Sequence, residues 1–413
     1  MEKAIQSPIA QGGLGRSMFD QREIDAVAEL MRDPERMWRY REDSHSRLFS
    51  KEAREMVGTK YAMLVNSGTS ALACCLAGLG IGAGDEVIVQ GYTYIATASA
   101  CMEVGAVPII AEIDNSLGLD PKDVEQKITP RTKAVIMAHM QGVPGRIAEV
   151  KAVAEKHGLL LVGDCCQAIG AKYHGKHVGT ESDAFAWSLN YWKIITCGEG
   201  GAFFTNRDDV FLGGFYMSDP GAKLWQSSWN EGLQPIPDFS RNCYRISEIC
   251  AAVARVQLQK LEGVLEKTRM LKKTLLACLD TPVHYTLQHV DDPEGDCGIS
   301  AALILNHTKD YEPFAKALAK EGLDIGGAAY SDAFPDRHVY RYWDVLYQDI
   351  EGNPQNYPWT NPEYKGDPQY HREMCPRTLD ILSRSIRIAI HPGLTEQNMR
   401  EFALAINRAD TAF

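Results

Sequence analysis

The sequence lacks several features that would place it in a class at once. It has no run of about 20 apolar residues, the length that a membrane-spanning helix needs. It has no excess of basic residues, because 43 Lys and Arg against 54 Asp and Glu give a net charge of -11. This balance argues against a nucleic-acid surface and against binding to an anionic membrane. The opening residues contain no apolar core of a signal peptide, so we expect a cytoplasmic protein.

The cysteines lack the spacing of a metal site or a disulfide framework. Their number, eleven, is odd, and several lie inside apolar runs as adjacent pairs, such as Cys74 with Cys75 and Cys165 with Cys166. Buried reduced thiols are the simpler interpretation, and we expect no metal. At 413 residues, the chain exceeds the length at which a single core usually splits, which predicts two domains.

Short β-rich runs alternate with helix-period segments from about residue 59 to 206, which predicts an α/β domain with a mainly parallel sheet. The expected strands are 61–65, 86–90, 107–113, 134–140, 159–164, 184–189 and 201–206. Asp20 is a candidate N-cap for a first helix, and residues 247–275 predict one long helix or two in series. The loop-rich stretch 332–374 is either a binding loop or a flexible insertion.

The first motif with chemical meaning is the segment 67–70, with the sequence SGTS, between a predicted strand and a predicted helix. Hydroxyls and free amides at a helix N-terminus can bind a phosphate, although an ordinary N-cap explains the same residues. The glycines at 80, 82 and 84 resemble a dinucleotide fingerprint, but they follow a helix and precede a strand, which is the wrong order. This order disfavours an NAD-dependent oxidoreductase.

Two charged residues stand in unusual positions. Asp164 ends an apolar strand, where open α/β sheets bind ligands; its alternative role is to cap the next helix. Lys193 lies among aromatic and β-branched residues before a glycine-rich turn, a setting that favours a neutral, nucleophilic amine. A surface lysine that extends its amine into solvent is the alternative.

Taken together, these motifs resemble the DegT/DnrJ/EryC1/StrS family of sugar aminotransferases. The resemblance covers about residues 20–265 and is carried by NSGTSAL (66–72), GAGDEVIV (82–89), TYIATASA (93–100), DCCQAIGAKYHGKHVG (164–179) and SLNYWKIITCGEGGAFFTN (188–206). The segments WRYRED (38–43) and DDPEGD (291–296) most resemble the 8-amino-octulosonate transaminases within the family. The family resemblance implies a fold-type I pyridoxal-phosphate (PLP) transferase, with a mainly parallel seven-stranded sheet. It also implies an arm (1–19), a large domain (20–265) and a smaller α+β C-terminal domain (266–413).

The resemblance also implies roles for individual residues. Lys193 matches the lysine that forms a Schiff base with PLP, and Asp164 matches the acid at its pyridine nitrogen. The remaining matches are contacts to the ring or the phosphate, namely Tyr94 and Gln167 on the two ring faces and Gly68, Thr69 and Ser188 at the phosphate. The family's phosphate contact from the partner subunit is an Asn; here Asn242 stands one position early, and Arg241 or Arg245 could replace it.

The implied reaction is transamination from glutamate or glutamine to the carbonyl of an oxidised sugar, sugar acid or cyclitol, in a homodimer with shared sites. A PLP-dependent sugar dehydratase of the same family is the nearest alternative, but such enzymes carry His where this chain has Lys193. A non-catalytic protein that retains the fold is a more distant alternative, and the presence of both Lys193 and Asp164 argues against it.

Overall fold

The computed structural model describes residues 2–9, 13–224, 232–234, 236–237, 239, 242–325, 336–347 and 357–412. The α-helices with bounds in these residues are α1 (Gln21–Arg32), α2 (His45–Val57), α3 (Gly68–Gly78), α4 (Ala96–Glu103), α5 (Pro121–Lys127), α6 (Ile147–His157), α7 (Asp208–Ser218), α8 (Glu248–Ala277), α9 (Tyr311–Lys320), α10 (Pro376–Ser383) and α11 (Glu396–Thr411). The strands are β1 (Tyr61–Val65), β2 (Glu86–Gln90), β3 (Val107–Ala111), β4 (Thr132–Ala138), β5 (Leu160–Asp164), β6 (Lys172–Tyr173), β7 (Lys176–His177), β8 (Ala184–Ser188), β9 (Gly201–Thr205), β10 (Tyr285–Leu287), β11 (Ser300–Leu305) and β12 (Ser385–Ala389).

A seven-stranded sheet forms the centre of the larger part of the molecule, in the order β1-β9-β8-β5-β4-β2-β3. From β8 to β3 all neighbouring strands are parallel, and only β9 runs antiparallel to its two neighbours. Alternate residues of each strand enter one of two apolar clusters, so both faces of the sheet are covered. The parallel strands therefore end at one common edge.

The seven strands predicted between residues 59 and 206 are all present, and β1 and β2 have the predicted bounds. Two predicted ends are wrong by two residues. The apolar run after β3 continues to Ile113, which is buried but bridges to Leu119 and does not extend the ladder. After β4, the chain leaves the sheet at His139 and enters a tight turn. Apolar periodicity indicates which residues are buried. At both positions, burial continues along the chain beyond the last residue that pairs with a neighbouring strand.

The long helix α8 joins the sheet domain to the C-terminal part. Its N-terminal part, through Leu265, packs Leu261 and Leu265 into a cluster under the large sheet, whereas its last turns pack Leu271 and Leu275 against the C-terminal elements. The predicted single-helix form is confirmed. The predicted domain boundary at 265/266 falls inside this continuous helix, and the domain limits remain a prediction.

The C-terminal part is a small α+β unit, as predicted. Antiparallel strands β10, β11 and β12 share an apolar cluster with α9 and α11. The N-terminal segment 2–9 lies against it: the Ala4 amide donates to a carboxylate oxygen of Glu321 at 2.8 Å, and the Ser7 hydroxyl donates to Glu401 at 2.7 Å. Among the described residues, no helix is both long and apolar enough to cross a membrane.

Candidate active site

A pocket of about 840 Å³ lies at the carboxyl edge of the large sheet, beside the ends of β5 and β8. It is lined by seven of the residues predicted for the site, namely Gly68, Thr69, Tyr94, Asp164, Gln167, Ser188 and Lys193. Parallel strands bring these separate chain segments together because their carboxyl ends meet at one edge, where α/β proteins commonly bind ligands.

The N-terminus of α3 forms one end of the pocket. The Ser67 hydroxyl accepts the Ser70 amide at 3.0 Å, so Ser67 is an N-cap as well as a lining residue. The amides of Gly68 and Thr69 lie in the first helical turn, where the helix supplies no acceptor and its dipole favours an anion. A Cβ atom on Gly68 would lie 2.7 Å from the Cβ of Ser188, so glycine permits this close approach. The result is a compact cradle of amides and hydroxyls.

Asp164 is the last residue of β5 and is 6% exposed. Its carboxylate accepts the Cys166 amide at 3.1 Å through Oδ1 and the Thr97 hydroxyl at 2.7 Å through Oδ2. The alternative role of Asp164 as a helix cap is wrong, because turns follow it through residue 171. Two donors therefore hold a carboxylate that lines the pocket.

Gln167 is held by a residue in an uncommon backbone conformation. Gln141 has φ 58° and ψ 24°, the left-handed region that costs a non-glycine residue about 1–3 kcal/mol. Its amide donates to Gln167 Oε1 at 3.1 Å, and its side-chain nitrogen donates to the Tyr92 hydroxyl at 2.8 Å. Ser300 donates to the Gln141 carbonyl at 3.0 Å and ties this turn to β11. The turn thus fixes the position of Gln167.

Lys193 lies in the turn after β8, and its backbone is held on both sides. Its amide donates to the Asn190 carbonyl at 2.9 Å, and its carbonyl accepts the Gly15 amide at 2.9 Å. The half-buried side chain lines the pocket, unlike the solvent-extended lysine considered above. Of its apolar neighbours, Ile194 is buried, whereas Trp192 is 66% exposed.

A buried histidine, His139, is among the residues that line the pocket. Burial lowers the pKa of His139 to about 4, so the imidazole is neutral near pH 7. Nδ1 accepts the Gly145 amide at 3.1 Å, which assigns the proton to Nε2. Among the described residues Nε2 has no hydrogen-bond partner, and such a buried donor would gain from a bound acceptor.

A second wall of the pocket comes from parts of the chain that are distant in sequence from the residues described so far. Residues 337–339 pair with residues 92–95 through amides of Thr93 and Ile95. The ring of His338 lies 5.3 Å from that of Tyr94, which is 40% exposed and available for stacking. His338 Nδ1 is 2.7 Å from Asp336 Oδ1. Arg387 of β12 completes this wall.

Asn242, the remaining predicted site residue, does not line this pocket. Its side-chain nitrogen lies 3.2 Å from the Met217 sulfur. Arg245 lies 3.9 Å from a carboxylate oxygen of Asp219. Arg241 lies outside the described residues. Because Asn242 was expected to act in a partner's site, that expectation stays a prediction.

Sequence analysis missed several residues that shape the pocket. Thr97 had an available signal, since it lies in the quoted motif 93–100; in the structure its hydroxyl is 2.7 Å from that of Thr93. His139 lies within the predicted strand 134–140 and Gln141 directly follows it, but nothing local marked their roles. Arg387 had no local signal, because a charged residue on an alternating strand usually faces solvent.

A sequence profile of the DegT/DnrJ/EryC1/StrS aminotransferase family matches residues 18–356. The chain belongs to this family. The chain is 34% identical over 240 residues to a GDP-perosamine synthase of Vibrio cholerae, covering 57% of this chain and 64% of that protein. It is 34% identical over 346 residues to an L-glutamine:scyllo-inosose aminotransferase of Streptomyces griseus, covering 82% of this chain and 78% of that protein. Matches to three perosamine synthases span only 56% to 64% of their lengths.

Solved structures of this aminotransferase family's fold align with nearly the whole chain. The crystal structure of 3-amino-5-hydroxybenzoic acid synthase has a TM-score of 0.72 at 22% identity, covering 96% of this chain and 97% of that one. Helicobacter pylori PseC, an aminotransferase, has a TM-score of 0.69 at 22% identity, covering 96% and 98%. The predicted family and fold class are confirmed. The closer resemblance to 8-amino-octulosonate transaminases remains a prediction.

Proposed function

We propose that the protein is a PLP-dependent aminotransferase that moves an amino group from glutamate or glutamine to the carbonyl of an oxidised sugar, sugar acid or cyclitol. One observation carries this proposal: the lysine amine of Lys193, the held carboxylate of Asp164 and the cradle at Gly68 line a single pocket. The family and the name of the Streptomyces griseus relative support the same reaction class.

The pocket residues fit PLP at two points. The cradle at the α3 N-terminus suits a phosphate, and its tight approach to Ser188 depends on the absence of a side chain at Gly68. The carboxylate of Asp164 suits a protonated pyridine nitrogen. Tyr94 and Gln167 are the residues that we assign to the two ring faces.

PLP, when bound, supplies an electron sink for the negative charge that develops when a substrate carbon loses a proton. Asp164 would sustain that sink by keeping the pyridine nitrogen protonated, and Thr97 holds its carboxylate in position. Lys193 would bind the cofactor covalently and, once released, carry the proton from one substrate carbon to the next. Because hydrogen bonds hold its backbone in the turn after β8, the released amine would stay beside the bound cofactor.

Spectroscopy tests the cofactor and the lysine together. The protein purified with PLP should be yellow, borohydride reduction should fix the cofactor, and peptide mapping should find the label on Lys193. Addition of L-glutamate or L-glutamine should bleach the visible band, and keto-sugars or keto-cyclitols should restore it. A protein that remains colourless and unlabelled after PLP is added would contradict the proposal.

We further propose a homodimer in which the partner's segment around Asn242 and Arg245 closes the phosphate end of the pocket. Apolar rings beside the pocket support an interface here, since Tyr191 and Trp192 are 47% and 66% exposed. The segment leads directly into α8, and Ser247 caps that helix. A surface loop that only precedes the helix is the alternative.

Mixed dimers separate these two arrangements. Lys193→Ala subunits are combined with subunits that carry Asn242→Ala and Arg245→Ala, each inactive alone. Shared sites should recover up to about one intact site per mixed dimer, as two-fold symmetry requires. Singly, Arg245→Ala should weaken PLP binding more than Asn242→Ala, because Asn242 is offset by one position. Verified mixed dimers without activity would show that each chain builds its own site.

A further inference from the structure

Residues 14–18, which we call the N-terminal strap, lie directly on the turn that carries Lys193. The Gly15 amide donates to the Lys193 carbonyl at 2.9 Å. A Cβ atom on Gly15 would lie 2.7 Å from the Cα of Ile195, so only glycine permits this approach of the two backbones. Leu14, the preceding residue, lines the same pocket as Lys193. The strap is therefore part of the wall of the candidate active site.

Two aromatic rings of the turn give the strap a second contact. The guanidinium carbon of Arg16 lies 4.5 Å from the ring centre of Trp192 and 5.1 Å from that of Tyr191. Both distances are within the range of cation–π attraction. The two rings are otherwise exposed, and they directly precede Lys193 in the chain. The strap thus contacts both the backbone of Lys193 and the side chains before it.

A buried network fixes the other end of the strap. The Lys260 amine on α8 donates to the Met18 carbonyl at 2.5 Å and to a carboxylate oxygen of Glu23 at 2.6 Å. The side chains of this ion pair are 4% and 3% exposed, and such a pair resists separation because either charge alone would be left desolvated. Gln257, also on α8, donates to the same Glu23 oxygen at 2.7 Å, and its own side-chain oxygen accepts the Thr196 amide at 3.4 Å. The network therefore ties the strap, α1 and the far side of the turn together.

We propose that the N-terminal strap positions Lys193 for its reaction with the cofactor, and that Gly15 is the positioning residue. This role rests on the proposed function, in which the Lys193 amine condenses with the PLP aldehyde, forming a C=N bond and releasing water. A lysine amine stands on a flexible four-carbon stem, so it reaches a fixed point reliably only if its backbone is held. The Asn190 carbonyl holds the amide side of Lys193, and the strap holds its carbonyl side.

A comparison of two ligands separates the position of Lys193 from the integrity of the pocket. PLP reacts through its aldehyde, whereas pyridoxine phosphate carries an alcohol there and binds without reacting. In Gly15→Ala, covalent attachment of PLP, followed by the visible band and by borohydride labelling, should slow by about 10-fold, whereas the affinity for pyridoxine phosphate should stay within about twofold. Gly82→Ala is the matched control, because a Cβ there lies 3.6 Å from its nearest neighbour, the Val104 carbonyl oxygen.

A second variant releases the strap without a change at Gly15. Lys260→Met combined with Glu23→Gln removes both buried charges together, so neither is left unpaired. Without the anchor at Met18, attachment of PLP should again slow, by about threefold or more, with the affinity for pyridoxine phosphate retained. Hydrogen exchange of both apoproteins, measured by mass spectrometry, should be about 10-fold faster in peptides that span residues 190–198 and unchanged in peptides from β4.

The outcomes distinguish a positioning role from a purely structural one. Slower attachment of PLP with unchanged affinity for pyridoxine phosphate and faster exchange of the turn supports the proposal. Unchanged attachment overturns it, and so does an equal loss of attachment and of pyridoxine phosphate affinity, because the strap would then only stabilise the fold. If Gly15→Ala does not fold, the second variant decides alone.

Failure of the proposed function gives a different result. If the wild-type protein does not attach PLP at Lys193, the proposed cofactor chemistry fails. The exchange measurement on the apoproteins still decides whether the strap holds the turn: faster exchange in Gly15→Ala supports that hold, and unchanged exchange overturns it.

Discussion

The two walls of the pocket differ in origin and in chemistry. One wall, to which we assign the cofactor and which we call the cofactor wall, consists of residues between 67 and 193, and hydrogen bonds hold Asp164 and Gln167 there. The other wall, to which we assign the substrate and which we call the substrate wall, combines residues 336–338 with Arg387, which are charged or aromatic and more exposed. This division suits a protein in which the cofactor chemistry stays the same, whereas residues on loops determine which substrate binds. Variants on the cofactor wall should therefore impair the reaction with every substrate.

Lys193→Ala should produce the largest effect. In the proposed reaction this amine both attaches the cofactor and transfers the proton, so turnover should fall on the order of 10⁴-fold or more. The fold should persist, because the side chain is only half-buried. Stopped-flow half-reactions and a thermal melt measure the two properties, with exposed Lys176→Ala as the control. Substantial residual turnover would remove Lys193 from the proposed chemistry.

Asp164→Asn should produce the second-largest loss of activity. The amide retains the size and much of the hydrogen bonding of the carboxylate, but it cannot hold a pyridinium proton by charge. We expect the half-reaction to slow by roughly 100-fold or more while PLP stays bound. The loss should be similar for every donor, in contrast to an effect on the substrate wall. Rates within about threefold of wild type would refute the assignment.

Gly68→Ala tests the close approach at the phosphate cradle. The added Cβ would meet the Ser188 side chain at 2.7 Å, so α3 must shift away from β8. PLP affinity should fall by about tenfold, measured by titration of the apoenzyme. The control is Gly263→Ala in α8, where a Cβ meets nothing within 4 Å. That change should leave PLP affinity intact and stabilise the fold by about 0.5–1 kcal/mol. Equal effects of the two variants on PLP affinity would contradict the role of Gly68 in a phosphate cradle.

Thr97→Val should have the smallest effect on the cofactor wall. It removes the hydroxyl that donates to Asp164 and keeps the side-chain shape. A lost hydrogen bond of about 1 kcal/mol corresponds to a roughly fivefold slower half-reaction. Because Thr97 acts by positioning Asp164, the pH profile should shift as well, and Thr97→Ser should restore both. A slower rate that Ser does not rescue would indicate a packing defect.

Prediction from sequence was most accurate where the signal is local. Runs of apolar residues locate all seven strands of the large sheet, and the position of Asp164 at the end of an apolar strand by itself predicts a residue at the ligand-binding edge. A phosphate cradle and an ordinary N-cap are the two interpretations of segment 67–70; in the structure Ser67 caps the helix, and Ser67, Gly68 and Thr69 also line the pocket. A helix N-terminus supports both roles, because the cap satisfies only some of its amides.

The sequence alone determined the α/β class, the positions of the strands along the chain and the segments that carry Asp164 and Lys193, because burial periodicity and motif spacing are properties of neighbouring residues. Only the tertiary structure decided which side chains hold them. Thr97 reaches Asp164 across 67 positions of the chain, and Gln141 reaches Gln167 across 26. Arg387 joins the pocket from a strand of the C-terminal unit. Such contacts depend on how elements pack, and no local pattern encodes the distance between elements that are remote in sequence.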